Sequence, residues 1–562
     1  MEEEKKLSKI EHIKRESRFL RGSIQEALED GSSHFSEENI QVLKFHGTYQ
    51  QDDRDLRKQL TKEGKERHYM MMIRARIPGG VLNADQYLQF DRLSDEYGNG
   101  TMRITTRQTF QLHGVLKGNL KATIRAINDV LITTLGGCGD QVRNTVGCAF
   151  PHEGPFYDAV RRDILALVDS VSAKTHAYHE IWLDGERVDP EVDRQQETLY
   201  GETYLPRKFK IAFAYEGDNC ADIYSNDIGL IAHRDGDQVA GYTLVIGGGM
   251  GRTASDKQTA PHLAKPFCFV TPDKLIDVCR AVISIQRDYG NRENRKFARM
   301  KYLVLERGIP WFREEAERRL GYALEDPREL VWHSADDHLG EIVQGDKVHL
   351  GLFIENGRIA DKPGMALKSV LREIMMAYRP GVRLTTQQNL ILTDLTREQA
   401  AEVATKLEEA GVKLASSYTP VKVRSMACPA LPTCGLAIAE SERALPGVVA
   451  DLEKALEELG LQDEPITVRM TGCANGCARP YIAEIGFVGR VIGKYDILLG
   501  ANVVGTRTNR VYREMVPLSE LVPTLYPLLQ AYRDERQPGE AFGDYCERVG
   551  IEQLQDRFVP VS

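Results

Sequence analysis

Four cysteines fall into two close pairs. Cys428-Pro-Ala-Leu-Pro-Thr-Cys434 is followed, after a long spacer, by Cys473-Ala-Asn-Gly-Cys477-Ala-Arg479. Each pair can grip one metal centre, so zinc, an iron–sulfur cluster and disulfides are the chemistries to weigh. Zinc knuckles favour about two to four residues between thiols, a pattern that the gap from Cys428 to Cys434 fits poorly. A cubane cluster is wider than a single ion and tolerates irregular gaps. The spacing alone leaves these chemistries open.

Cations form the second feature. Arg103, Thr105, Arg107, Thr109, Gln111 and His113 fall at every second position, and as one strand they would share a face. Arg74 and Arg76 alternate in the same way, as do Lys208 and Lys210 in Arg207-Lys-Phe-Lys210. Like charges on one face are costly unless solvent or something negative meets them. A solvated face and a pocket for a polyanion are the two readings.

The elements that must position these groups are partly visible. Between the thiol pairs, Val448, Val449, Leu452, Leu456 and Leu459 fall at helical spacing, and Gly460 stands where a helix would end. A helix there would fold the two pairs back together. Arg383-Leu-Thr-Thr-Gln-Gln-Asn389 echoes Arg103-Ile-Thr-Thr-Arg-Gln-Thr109, and Glu484-Ile-Gly-Phe echoes Asp227-Ile-Gly-Leu. Val423-Arg-Ser echoes Val142-Arg-Asn. Similarity at so long a period indicates a duplicated module with a cleft between its copies. Arg143 and Cys148 stand in the first copy where the second has the Cys428 loop, and no cysteine of the first is expected opposite Cys473 and Cys477. Gly247-Gly-Gly-Met-Gly251-Arg252 fits neither a dinucleotide fingerprint nor a P-loop, and Gly489–Lys494 also misses the P-loop. A close chain crossing or a contact with a carboxylate of a prosthetic group explains such glycines better. No flavin or nicotinamide domain is in view.

The 562 residues have 42% hydrophobic and 28% charged side chains, an ordinary globular balance with room for several domains. The net charge of -9 gives no reason to expect nucleic-acid binding, so an anionic ligand must be met by local cations. Cys138, Cys148, Cys220, Cys268, Cys279 and Cys546 show no regular spacing and read as buried thiols of a reducing compartment. The start, Met1-Glu-Glu-Glu-Lys-Lys, has no signal-peptide core, and no apolar run would span a bilayer. A soluble cytoplasmic protein without membrane contact is expected.

Ser425-Met-Ala-Cys428-x5-Cys434 with Thr471-Gly-Cys473-x-Asn-Gly-Cys477 resembles the cluster signature of the sulfite and nitrite reductases, and the resemblance runs from about His46 to about Gly550. It implies an α+β, internally duplicated fold with pseudo-twofold symmetry, in which ferredoxin-like half-domains and two larger α/β domains surround a central cofactor. The expected division is an N-terminal extension over 1–66 that wraps the catalytic body, half-domains over 67–135 and 341–415, a substrate-side domain over 136–340 and a cofactor-ligating domain over 416–562. By the same resemblance, Cys428, Cys434, Cys473 and Cys477 hold a [4Fe-4S] cluster, and Cys477 also ligates a sirohaem. Arg74, Arg143, Lys208 and Lys210 match the cations around the substrate anion. Arg103, Thr105, Arg107, Gln111, His113 and Asn475 are expected at the sirohaem. Relatives that act on nitrite tend to carry Asn at the second lysine position, so Lys210 tilts the expectation to sulfite, reduced to sulfide by six electrons in cysteine biosynthesis. The resemblance also implies an NADPH-oxidising flavoprotein subunit as donor; nitrite as substrate and ferredoxin as donor are the near alternatives, and a zinc-stabilised or purely electron-transferring module is the distant one.

Overall fold

In the computed structural model, residues 7–175 and 197–558 are described, together with the short strands Trp182–Leu183 and Glu186–Arg187. Two small five-stranded sheets share one arrangement. The first runs Thr48–Asp52, Tyr69–Arg74, Phe110–Val115, Met102–Ile104 and Arg358–Ile359. The second runs Gly340–Gln344, Lys347–Leu352, Leu390–Leu395, Gly381–Leu384 and Val81–Leu82. Each sheet takes its last strand from the other copy, Arg358 pairing Arg103 and Val81 pairing Arg383. This reciprocal exchange ties the copies together, and one hydrophobic core serves both sheets.

Helix starts are set locally. Asn83 and Gln86 form a capping box at Ala84–Glu96, and Thr396 and Gln399 form one at Arg397–Glu409. The stretch 103–113 is not one strand. It is a hairpin in which Arg103 faces Gln111 and Ile104 faces Phe110. Gln108 turns the chain at φ 50°, and its counterpart Gln388 does so at φ 73°. Because Arg74 also faces Gln111, the ladder places Arg74, Gln111, Arg103 and Arg358 in one row across the sheet.

The two large sheets repeat one another as well. Ile211–Tyr215 lies parallel to Ile228–Asp235, which continues antiparallel through Gln238–Ile246 to Lys265–Val270. Val468–Thr471 lies parallel to Ile485–Val491, followed by Lys494–Leu499 and Arg510–Pro517. Ser425–Ala427 adds a parallel strand beside Val468–Thr471. The expected spacer helix is present over Leu445–Glu458; it buries Val448, Val449, Leu452 and Leu456, and Gly460 follows it at φ 68°.

The N-terminal stretch is built into the body. Thr48–Asp52 extends the first small sheet, Phe45 and His46 are buried, and Lys14 Nζ donates to Leu205 O at 2.8 Å. Glu442 holds two arginines of the Arg74 row: Arg358 Nε at 2.7 Å and Arg103 through Nη1. Burial opposes ionisation of this carboxyl, but Arg103 and Arg358 outweigh it and bring its pKa down to about 2. Such a depressed group stabilises the fold above the ordinary carboxylate pKa, and the contribution is lost as pH falls toward 2. Arg103 has 0% exposure, so removing its partner strands a buried charge. Glu442→Leu is expected to lower the free energy of unfolding at neutral pH by about 3–5 kcal/mol, read by urea unfolding. A loss under about 1 kcal/mol would mean that Arg103 finds water or another partner.

Candidate cofactor and anion site

Strand order explains why distant thiol pairs meet. Ala427 lies opposite Met470 in neighbouring parallel strands, so Cys428 and Cys473 leave the same end of the sheet. Cys428 N–H donates to Met470 O at 3.2 Å, and Gly472 N–H donates to Cys428 Sγ at 3.4 Å. Gly472 has no room for a side chain, since a Cβ there would stand 2.4 Å from Ala439 O. The amides of Leu436 and Ala437 turn to the Cys434 sulfur, and the amide and side chain of Asn475 turn to the Cys473 sulfur. Amide donors of this kind are what a ligating sulfur accepts.

Burial first, and the charge of Cys477 second, push Cys428 up to about 12 and Cys473 up to about 11, and raise Cys434 as well. Cys477 therefore acts on all three other thiols, while its own side chain is exposed. Four thiols that oppose one another's ionisation can be thiolates together only around a positive centre. Among the described residues, the group whose ligand atoms gather within 4.8 Å of one another is a different one.

Two of the expected cations, Lys208 and Lys210, lie within electrostatic reach of the exposed Cys477. Lys208 and Lys210 flank the buried Phe209, and among the described residues neither Nζ has a hydrogen bond or a carboxylate partner. Burial, with Arg143 and Arg299 nearby, brings Lys208 down to about 7. Burial, Arg107 and Lys208 hold Lys210 well below the usual lysine range, and Cys477 opposes both shifts. Burial and Arg479 bring Arg107 down to about 9. Its Nη1 donates to Asn226 Oδ1 at 2.5 Å and its Nη2 to Ile211 O at 2.9 Å, while its buried Nε has no partner. Arg143 Nε and Nη2 both donate to Gly139 O at 3.2 Å. Arg74 Nη1 donates to Cys138 Sγ at 3.1 Å, and the Gln111 carbonyl accepts from Arg74 Nε at 2.9 Å. Carbonyls and sulfur, not carboxylates, meet these cations. The uncompensated charge beside Cys477 fits a polyanionic prosthetic group and a small anion.

Other expected residues are placed differently. Arg103 donates to Ala427 O at 2.8 Å and to Glu442, so both terminal nitrogens serve the base of the Cys428 loop rather than the cavity. Thr105 Oγ1 accepts from Arg107 N–H at 3.1 Å, a hairpin bond repeated by Thr385 and Gln387 N–H at 3.2 Å. His113 is buried; burial, Arg358 and Arg103 keep it neutral, and its Nδ1 has no partner. The glycine-rich loop is a chain crossing. A Cβ at Gly251 would stand 3.0 Å from Asn475 O, and Arg252 N–H donates to Ala474 O at 2.9 Å. Lys301 Nζ holds that loop through Gly249 O at 3.1 Å and Gly251 O at 2.7 Å.

Sequence reasoning missed several contributors. Tyr49 bonds to the Arg143 guanidinium, Asp227 pairs with Arg299 at 2.9 Å, and Arg54 Nη1 donates to Ala437 O at 2.5 Å and Cys434 O at 3.1 Å. Arg54 lies in a polar, charge-rich stretch with no signal that it reaches residues nearly four hundred positions away. One cysteine was also missed. Asp222 and Arg479, at φ 47° and 53°, each open a short 3-10 turn before the matching Asp227-Ile and Glu484-Ile strand starts. That register sets Cys220 opposite Cys477, so the first copy does carry a thiol there.

A duplicated chain with a thiol quartet at the end of one large sheet and buried, unpaired lysines near its exposed thiol fits the nitrite and sulphite reductases, and the chain belongs to this family. The nitrite/sulfite reductase ferredoxin-like half domain matches residues 62–130 and 342–410, and the nitrite and sulphite reductase 4Fe-4S domain matches 166–324. The sulfite reductase [NADPH] hemoprotein beta-component of Geobacillus thermodenitrificans is 46% identical over 97% of this chain and 96% of its own length. The component of the same name from Staphylococcus haemolyticus is 44% identical over 98% and 96%. The solved structure of the Mycobacterium tuberculosis NirA protein shares the fold, with a TM-score of 0.78 and 24% identity over 98% of this chain and 97% of that one. Among the described residues, no helix is long and apolar enough to cross a membrane.

Arg54 supports the Cys434 loop without ligating anything. Arg54→Ala is expected to speed cluster loss to a chelator about tenfold, read as iron and acid-labile sulfide per chain over time. An unchanged rate would make its two carbonyl contacts incidental.

Proposed function

We propose that this chain is the haemoprotein component of an NADPH-dependent sulfite reductase and reduces sulfite to sulfide. Cys428, Cys434, Cys473 and Cys477 would hold the [4Fe-4S] cluster, and Cys477 would also ligate the sirohaem. The observation that carries the reading is that Lys208 and Lys210, with no carboxylate partner among the described residues, feel the charge of the one exposed thiol of the quartet. When bound, the sirohaem and cluster store and deliver the electrons. The chain's own residues bind the anion and supply protons.

Arg74 and Arg143 would orient the sulfite oxygens through their guanidinium N–H groups. Gln111 holds Arg74 by accepting its Nε–H, so its role is positioning. Lys208 and Lys210 would neutralise the anion as charge builds on the departing oxygens. Each oxygen leaves as water and takes two protons. Lys208, down to about 7, can give one near neutrality and regain it from solvent, since it is only half-buried. Arg107, His113 and Asn475 would meet the sirohaem carboxylates or ring, while Arg103 and Thr105 act one step away through the Cys428 loop and the hairpin. The glycine-rich loop is a chain crossing rather than a nucleotide cradle; an NADPH-oxidising flavoprotein would supply the electrons, a reading that the NADPH in the relatives' name supports.

Lysine at 210 is the observation that favours sulfite over nitrite. Lys210→Asn should raise the ratio of nitrite to sulfite turnover with a reduced dye as donor; an unchanged ratio removes the reason for preferring sulfite. Lys208 must be protonated to donate, so kcat/KM for sulfite should fall as pH rises through its pKa. A bound anion lifts that pKa, so the descending limb should lie at or above pH 7. Lys208→Arg should abolish the limb and slow turnover about 100-fold with normal cofactor content; a retained limb would assign the proton to another group. Cys477→Ser should remove the sirohaem-linked visible spectrum, and an intact spectrum would refute the ligand assignment.

A further inference from the structure

We propose that the first copy binds a zinc ion through Cys148, Asp218, Cys220 and His338, a site separate from the cluster and independent of the sulfite reading. The four ligand atoms lie within 4.8 Å of one another. Cys148 Sγ is 3.3 Å from Asp218 Oδ2 and 3.4 Å from His338 Nε2, and those two atoms are 3.1 Å apart. A tetrahedron with bonds of about 2.0–2.3 Å has edges of about 3.3–3.7 Å, so an outward shift of roughly a few tenths of an ångström accommodates the ion. The donor set suits that choice. Two thiolates, an imidazole and a carboxylate are borderline-soft ligands for zinc, whereas magnesium and calcium take oxygen shells and a cubane is normally held by thiolates.

Supporting contacts already aim the ligands. Cys220 N–H donates to Asp218 Oδ1 at 2.9 Å, which leaves Oδ2 to face the other three groups. Phe150 N–H donates to Cys148 Sγ at 3.4 Å, and the Phe150 ring meets the His338 ring edge-on at 5.0 Å. Cys220 is buried and the other three are half-buried, which suits a closed structural site.

The duplication explains how thiols came to this place. Val146 pairs with Ala212 in parallel as Met426 pairs with Arg469. Two residues on, Cys148 therefore corresponds to Cys428. Cys220 corresponds to Cys477, and the carbonyls of both accept hairpin threonines that correspond to one another: Thr386 Oγ1 to Cys220 O at 2.5 Å, and Thr106 Oγ1 to Cys477 O at 3.2 Å. In the register of Cys220, Glu216 corresponds to Cys473. The first copy thus keeps two of the four cluster positions as thiols and completes the set with Asp218 and with His338 from the segment joining the copies. Next to it, Asp337 accepts from Thr385 Oγ1 at 2.7 Å and Asn389 Nδ2 at 2.6 Å. The ion would pin that joint to the first large domain while Asp337 pins it to the second hairpin.

The test is metal analysis and zinc K-edge absorption on untagged holoprotein grown with zinc. The expected result is about one zinc per chain in a shell of two sulfur and two nitrogen or oxygen neighbours. Cys220→Ala should lose the zinc while iron and sirohaem stay at wild-type content. His338→Gln, a milder change at a half-buried position, should lose it or lower its retention under chelation. No zinc after equilibration with excess zinc, a shell of four sulfurs, or zinc unchanged in both variants would each overturn the proposal. So would a Cys148–Cys220 disulfide found by non-reducing peptide mapping of the fresh protein.

Discussion

A single buried ion pair joins everything that the site needs. Arg479 Nε donates to Asp222 Oδ2 at 2.5 Å, and Arg469 Nη1 reaches the same oxygen at 2.9 Å. The remaining nitrogens of Arg479 donate to Thr386 O at 2.9 Å and Thr106 O at 3.4 Å, the turns of the two corresponding hairpins. One guanidinium therefore touches both small domains and the first large domain from a position two residues past Cys477. The pair is almost fully buried, and a buried pair that loses one member costs about 3–5 kcal/mol. The position of Cys477 is thus set by a contact between copies, not by its own loop alone.

A second constraint is how charge is distributed. The protein is acidic overall, yet its centre is cationic. Carboxylates are used around the rim: Glu442 on Arg103 and Arg358, Asp227 on Arg299, and Asp140 on Arg295 at 2.9 Å. The inner groups, Lys208, Lys210, Arg107, Arg143 and Arg74, receive carbonyls, the Tyr49 hydroxyl, sulfur or nothing. Unpaired cations in a half-buried cavity repel one another and destabilise the bare fold. A polyanion that binds only the folded chain recovers that loss, so cofactor binding and folding are linked. The local field, rather than the net charge, is then what draws in a small anion.

Much of this was legible in the sequence, and the failures have physical causes. The quartet, the spacer helix and the duplication could be read because each leaves a local pattern: spacing, period or echo. The strand reading of 103–113 failed because Thr, Arg and Gln alternate through a hairpin turn as readily as along a strand; only the positive φ at Gln108, which no residue type there announces, breaks the run. The contact of Arg103 with Glu442 could not be read, since Glu442 lies far along the chain. Arg54 and Tyr49 were invisible for the same reason. Cys220 was missed because the large sheets repeat at a different spacing from the hairpins: Ile228 to Ile485 is 257 positions, whereas Thr106 to Thr386 is 280.

Those two spacings also show what a fused duplicate can do that a symmetric dimer cannot. Asp222 and Arg479 occupy corresponding positions and touch each other, which places their contact on the pseudo-twofold. In a homodimer both positions would carry the same residue, and like charges would face each other across the axis. A fused chain is free of that restriction, and here one position is acidic and the other basic. The threonines on either side, Thr106 and Thr386, stayed identical because each serves its own hairpin and meets a backbone carbonyl of the other copy, a contact that symmetry satisfies twice without conflict. Divergence is therefore concentrated where symmetry is electrostatically costly, and the same freedom allowed one copy to keep four thiols while the other kept two.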